Sequence, residues 1–390
     1  MRRPSIRQGR SHGGPSTPSV ARVIFLVFAA MLVGSACSSS DSNDGGASQT
    51  AGPNGAPPPA SVTFMAGFKP QANLPFVGVY VGQEKGYFAD ENLTVDIKHV
   101  TTPGDNFRFL AAGEVQFTTA DAQEVLNRRA ADPPLDIVSL ALIGQRGQQG
   151  FAVKADSGIQ TPKDWVGKTA GYKGSEVTPD YLAILKSQGV DRASVKEVKV
   201  GFEPQVLTEG QVDIYPVFVS NEPDTLKRAG QDVKVFEAKD FGAPTLGLTF
   251  ATTGDYVRQN PDIVQRFLRG AIRGIHYADK HRDEALDIVL KYAPGEDREH
   301  ERYMMETELK GAFSGEALLN GLGAQTKDEW QRLHDFLVQY GALPTPLPDV
   351  SAAFTDQFLL AAHEPPPWAG GAAPTPASSP ATASASSGGY

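Results

Sequence analysis

The chain has 390 residues, 40% of them hydrophobic and 21% charged, with a formal net charge of −9. That balance is ordinary for a soluble globular protein, and its acidity argues against nucleic acid as a partner. A single cysteine, Cys37, excludes an internal disulfide, so stability must come from the core.

The first element in chain order is a targeting segment. Residues 1–36 carry Arg2, Arg3, Arg7, Arg10 and Arg22 and no acid, and end in the apolar run 23–36. That run is roughly 14 residues long, short of the ~20 that span a bilayer. A basic start, a short apolar stretch and small residues at its end describe a secretory signal. Small residues directly before a lone cysteine resemble a bacterial lipobox, which implies lipidation of Cys37. Gly34 stands where that motif usually has Leu, and Leu32 and Val33 fall one or two places earlier. Two or three acyl chains anchor stably, so the mature chain is expected outside the cytoplasm, held to the cell membrane. Loss of the five arginines takes the formal charge from −9 to −14. Residues 37–60 read as a flexible tether. Residues 364–390, rich in Pro, Ala and Ser, read as a disordered tail.

Between them strands and helices alternate. Residues 61–68 read as a strand, 77–92 as a helix, and 93–100 as an alternating strand. A short helix over 105–114 closes at Gly113; residues 115–120 form a strand, 121–132 a helix and 136–143 a β-branched strand. The rhythm continues through QGFAVK at 149–154, then KTAGYK at 168–173, TPDYLAILKSQGV at 178–190, VKEVKV at 195–200, FEPQVLTEG at 202–210 and VDIYPVFV at 212–219. Beyond about residue 255 the pattern is mostly helical. Strands alternating with helices predict an α/β chain with a doubly wound sheet.

Four stretches in this order resemble the periplasmic-type solute-binding proteins of ABC importers. The likeness is closest to the family containing the thiamine-pyrimidine, riboflavin and alkanesulfonate binding proteins. They are GFKPQANLPFVGVYVGQEKGYFADENLTVDI at 67–97, LAAGEVQFTTADAQEVL at 110–126, IQTPKDWVGKTAGYKGS at 159–175 and LTEGQVDIYPVFVSNEPDTLKRAG at 207–230. The resemblance implies a two-lobed periplasmic-binding-protein fold of type II, with a ligand cleft between lobes. Lobe I would comprise 61–152 and 252–363, and lobe II 153–251. It implies a monomeric receptor that hands a small molecule to a membrane permease.

Ligands of open α/β sheets lie beyond the carboxyl ends of strands, which selects four turns. In the first, Gln71 and Asn73 carry amides that suit the edge of a heterocycle, and Phe68 and Phe76 are flat rings able to stack. In the second, Thr119 and Asp121 stand at a strand-to-helix turn, where Asp121 reads equally as an N-cap. In the third, Tyr172, Ser175 and Glu176 form the matching turn of lobe II. In the fourth, Asn221 and Glu222 precede Pro223; a carboxylate there suits an amino-bearing heterocycle or hydroxyls and repels a sulfonate. Gln145 and Arg146, before the strand at 149–154, form a further pair.

The leading expectation is therefore a receptor for a planar nitrogen heterocycle, a thiamine pyrimidine precursor or riboflavin. An alkanesulfonate or other small anion is the alternative. The same fold hosts pyrimidine synthases that consume an active-site His and use a Cys-rich iron motif. QANLPFVG at 71–78 has no His, and the chain has no cysteine beyond Cys37, so no enzyme is expected. The scattered histidines form no HxH or HExxH, so neither a metal nor a cofactor is expected.

Overall fold

The computed structural model describes residues 56–174, 176–343 and 345–367. Cys37, the signal, nearly all of the tether, Ser175 and most of the expected tail lie outside them. In chain order the elements are β1 (Ala60–Ala66), α1 (Leu74–Glu84), β2 (Leu93–His99), α2 (Asp105–Ala111), β3 (Phe117–Asp121), α3 (Ala122–Ala130), β4 (Ile137–Leu142), β5 (Gln149–Lys154), β6 (Thr169–Tyr172), α4 (Pro179–Gln188), β7 (Lys196–Lys199) and α5 (Gln205–Thr208). There follow β8 (Tyr215–Phe218), α6 (Glu222–Arg228), β9 (Val233–Glu237), β10 (Leu248–Thr253), α7 (Gly254–Gln259), α8 (Pro261–Lys280), α9 (Arg282–Tyr292), α10 (Arg298–Ala312), α11 (Ala317–Asn320), α12 (Lys327–Gln339) and α13 (Leu359–Ala362).

The first sheet has the order β2-β1-β3-β10-β4. Its β1 pairs in parallel with β2 and β3, but β10 runs antiparallel to both β3 and β4. The sheet is thus mixed rather than the parallel one that alternation predicts. β10 arrives from the second sheet and enters from the opposite end. In that second region β8-β5-β9 form an antiparallel sheet and β6-β7 a parallel pair, linked by the bridge between Ala170 and Ile214. The chain therefore crosses between the sheets twice, after β4 and before β10. The expected lobe boundary after residue 152 falls inside β5, whose partners are β8 and β9.

Local chemistry sets the boundaries of α1. Asn73 has extended backbone and Pro75 occupies the first turn, so the helix starts before the expected Val77. It stops at Glu84, not at residue 92, because Gly86 (φ 74°) and Asn92 (φ 50°) take left-handed conformations. Every residue from Leu74 to Gly82 is buried, as befits a helix that is apolar on all sides.

Glycines let α1 lie directly on α8. A Cβ added at Gly274 would stand 2.0 Å from the Gly78 carbonyl oxygen, and one at Gly270 would stand 2.4 Å from the Phe88 ring. Backbone cannot yield as a side chain can. Gly274→Ala should therefore cost about 1–3 kcal/mol through overpacking, read as a lowered melting temperature; an unchanged melt would mean the two helices slide apart freely. Around this contact the core stacks Phe117 on Phe267 with centroids 3.9 Å apart, flanked by Phe64, Phe88 and Phe250. Among the described residues no helix is long and apolar enough to cross a membrane.

Candidate functional site

The loop after β1 is held from the C-terminal helices. The first N–H groups of a helix need outside acceptors, and Asn73 makes no capping bond to them. Two acids of α10 supply what is missing. Ala72 N donates to Glu301 Oε2 at 2.5 Å and Leu74 N to Glu308 Oε2 at 2.6 Å. Asn73 Nδ2 donates to Glu308 Oε1 at 2.6 Å, and the Gln71 amide donates to Asn73 Oδ1. Burial raises both acids, Glu308 to about 7.

The other expected residues on this side divide. Phe68 is exposed at the rim, with its carbonyl oxygen 2.8 Å from His99 Nδ1. Phe76 does not face the cleft: it is a core side chain set edge-on to His99, 5.6 Å between centroids. Thr119 is buried and its Oγ1 accepts from Gly67 N at 3.0 Å, which ties β3 to the loop. Asp121 caps α3 by accepting from Gln123 N at 3.1 Å and faces the Gln149 amide at 3.4 Å; burial pushes it up to about 6.

On the second side, Tyr172 is half-buried at the end of β6 and Glu176 is exposed. Glu222 is buried, and its charge is already answered. Lys173 Nζ donates to Oε1 at 2.5 Å, and Phe218 N donates to Oε2 at 2.8 Å. The same ammonium lies 4.8 Å from the centre of the Tyr215 ring. Asn221 Oδ1 lies 3.1 Å from His300 Nε2, while His300 Nδ1 lies 2.8 Å from Asp224 Oδ2. Tyr303 OH donates to Val219 O at 2.8 Å.

Besides His300 and Tyr303, one carboxylate of α10 joins the two sides. Glu308 Oε1, already bound to Asn73, also lies 3.3 Å from the donating Ser220 hydroxyl of the β8–α6 turn. Beside it is a cavity of about 20 Å³ lined by Leu74, Pro75, Ile143, Gly144, Gln148, Leu248 and Glu308. Of the expected residues, Asn73 reaches this carboxylate directly and Gln71 through Asn73, whereas Asn221 lies against His300 and Glu222 against Lys173. Gln145 does not reach it: its amide donates to Leu142 O and Ala324 O, both at 2.7 Å, and serves packing. Arg146 is exposed.

Sequence reasoning missed Glu301, Glu308, His300, Gln148 and Asp180. A signal existed for the first two. Glu301, Met304, Met305 and Glu308 are all buried and follow the i, i+3, i+4, i+7 spacing of an inward stripe, so two of its four places are acids. Asp180 gave none, because an acid in the first turn of a helix is commonplace. Yet it is only 3% exposed, and burial followed by the charge of Asp121 pushes it up to about 7.

Comparison with known proteins gives a consistent picture. A family model described as NMT1/THI5 like matches residues 73–285. The chain is 27% identical over 346 residues to the formylaminopyrimidine-binding protein of Halalkalibacterium halodurans, covering 86% of this chain and 99% of that protein. It is 28% identical over 349 residues to the riboflavin-binding protein RibY of Chloroflexus aurantiacus, covering 87% and 97%. Among solved structures, the periplasmic aliphatic sulphonate binding protein SsuA from Escherichia coli aligns with a TM-score of 0.59 at 12% identity, over 76% of this chain and 92% of that chain. At that identity the likeness shows the fold alone, which is the two-lobed α/β periplasmic-binding-protein fold.

Proposed function

The chain belongs to the NMT1/THI5-like family, and from that premise we propose that it is the substrate-binding lipoprotein of an ABC importer. It captures a planar nitrogen heterocycle, of the thiamine-pyrimidine or flavin kind, and hands it to a membrane permease. The observation that carries this reading is the convergence on Glu308. Asn73 from the loop after β1 and Ser220 from the turn after β8 both donate to it. Polar groups from both sides of a cleft are what a hinged receptor needs to close on a ring. The two relatives that cover nearly the whole chain are named for binding a formylaminopyrimidine and riboflavin, which favours a receptor over an enzyme.

The sulfonate reading is disfavoured by charge. Glu301 and Glu308 of α10 are buried against the loop after β1, and a carboxylate disfavours a neighbouring anion. Anchoring at Cys37 outside the cytoplasm is part of the same proposal.

Isothermal titration of the purified protein against formylaminopyrimidine, riboflavin and a set of alkanesulfonates tests it. Heat is expected from a heterocycle; heat from sulfonates alone would sink the reading. Asn73→Ala should then weaken the heterocycle about five-fold, since one neutral hydrogen bond contributes about 1 kcal/mol.

A further inference from the structure

His300, in the first turn of α10, stands between two oxygens at the start of α6. Its Nδ1 lies 2.8 Å from Asp224 Oδ2 and its Nε2 lies 3.1 Å from Asn221 Oδ1. Asp224 Oδ2 also takes the Arg228 Nε–H at 2.6 Å, and the carbonyl oxygen of an amide can only accept. A neutral imidazole carries one N–H and answers one acceptor. With two acceptors, both ring nitrogens must be protonated, so this is the geometry of an imidazolium.

The place of the ring gives the charge a consequence. Helix α10 is fixed to the first-sheet side through Ala72, Asn73 and Leu74. It reaches the second side through four side chains. Asp297 meets Arg228 at 3.2 Å, His300 meets Asn221 and Asp224, Tyr303 OH donates to Val219 O, and Glu308 accepts from Ser220. The charged groups around His300 are Asp224 and Arg228 of α6, and Asp297, Glu299 and Glu301 of α10. From the loop after β1 comes Lys69, paired with Glu296 at 2.6 Å, while Asp283 and Asp287 of α9 are held by Arg302 and Arg298. Histidine is the side chain that ordinarily changes charge between pH 5 and 8. Glu308, raised by burial to about 7, gains charge as pH rises and accepts more strongly. The two ends of the contact thus respond to pH in opposite senses.

We propose that His300 is a proton-operated latch: as the imidazolium it ties α10 to the start of α6, and loss of its proton frees the β8–α6 turn and favours the open receptor. The neutral ring keeps its one N–H on Asp224, because a carboxylate holds the stronger bond. Nε2 then turns a lone pair toward Asn221 Oδ1, and the amide must turn over or part from it. The latched state therefore binds one proton more than the open one, so low pH favours closure.

Hydrogen exchange of the full chain without ligand, read by mass spectrometry at pH 5 and pH 8, tests this. Wild type, His300→Gln and Asp224→Asn are compared at the same pH, so that intrinsic rates cancel. At pH 5 the amides of 219–224 should exchange about ten-fold faster in either variant, the lower end of the range for a hydrogen bond to a charged group. At pH 8 His300→Gln should match the wild type. Equal exchange at pH 5 overturns the proposal. So does a difference of the same size at both pH values, which would make the ring a packing element alone. Nitrogen-15 spectra of the ring give a second reading: at pH 5 His300 should show two ring N–H protons, and a single one overturns the proposal. No ligand enters these measurements, so failure of the latch leaves the heterocycle reading standing.

Discussion

Replacing Glu91 by alanine should cost about 3–5 kcal/mol of folding stability at pH 8, the range for removing one member of a buried ion pair. Glu91 ends the short turn before β2 and is fully buried; Arg269 of α8 is 4% exposed, and its Nη1 lies 2.8 Å from Glu91 Oε2. Next to it Arg266 Nη1 donates to the carbonyls of Pro58 and Glu91, both at 3.1 Å. These two arginines lock α8 onto the edge of the first sheet. Without the carboxylate, Arg269 keeps its bond to Ala361 O at 3.1 Å but loses the acid that faces it from the turn before β2.

Burial already strains Glu91, pushing it up to about 7 despite Arg269. Desolvating the two charges therefore opposes much of their attraction. It follows that Glu91→Leu combined with Arg269→Met should recover most of the loss, because paired buried charges are often replaceable by apolar groups of similar volume. Urea unfolding with unchanged m reads both results. A loss below about 1 kcal/mol for Glu91→Ala would show that the pair contributes no more than a surface ion pair.

What the sequence discloses and what it hides have separate physical reasons. The βα rhythm is legible because buried strands are short apolar runs and α1 is apolar from Leu74 to Gly82. Strand direction is not: LTFATT at 248–253 has ordinary strand chemistry, and nothing in it says that β10 runs antiparallel between β3 and β4. β9 escapes notice because VKVFE at 233–237 mixes charges into a strand that is only partly buried. At the site, Asn73 and Asn221 are legible because they stand at strand-to-helix turns. Phe76 misleads because Pro75 starts the helix one residue earlier and turns that ring into the core. Glu308 is hidden because an acid on an amphipathic helix ordinarily faces water. Only the packing of α10 against the loop after β1 shows that this one faces inward.

The second large effect depends on pH. Asp180 lies in the first turn of α4 with 3% exposure, and among the described residues no side-chain donor answers it. A helix start favours negative charge, but here burial is the larger influence and Asp121, from the first sheet, adds to it. Together they push Asp180 from 3.8 up to about 7. The folded state then binds this proton more tightly than the unfolded chain. Its contribution to stability is complete below about pH 4 and is lost as pH rises toward 7; above that a buried carboxylate is carried at a cost on the order of 3–4 kcal/mol. An asparagine at this position would be neutral throughout. Asp180→Asn should therefore melt with the wild type at pH 4 and several degrees above it at pH 8. A melting difference that stays flat from pH 4 to pH 8 would mean the carboxylate is solvated in the folded protein. Asp121→Asn supplies the decisive control, because asparagine still caps α3. It removes both the second cause of the Asp180 shift and the raised carboxyl of Asp121 itself, so the wild-type decline with pH should become shallower on both counts. The two substitutions together should then gain less than the sum of each alone, since interacting sites do not add. Such non-additivity would show that each carboxylate feels the other's charge, one from the end of β3 and one from the start of α4.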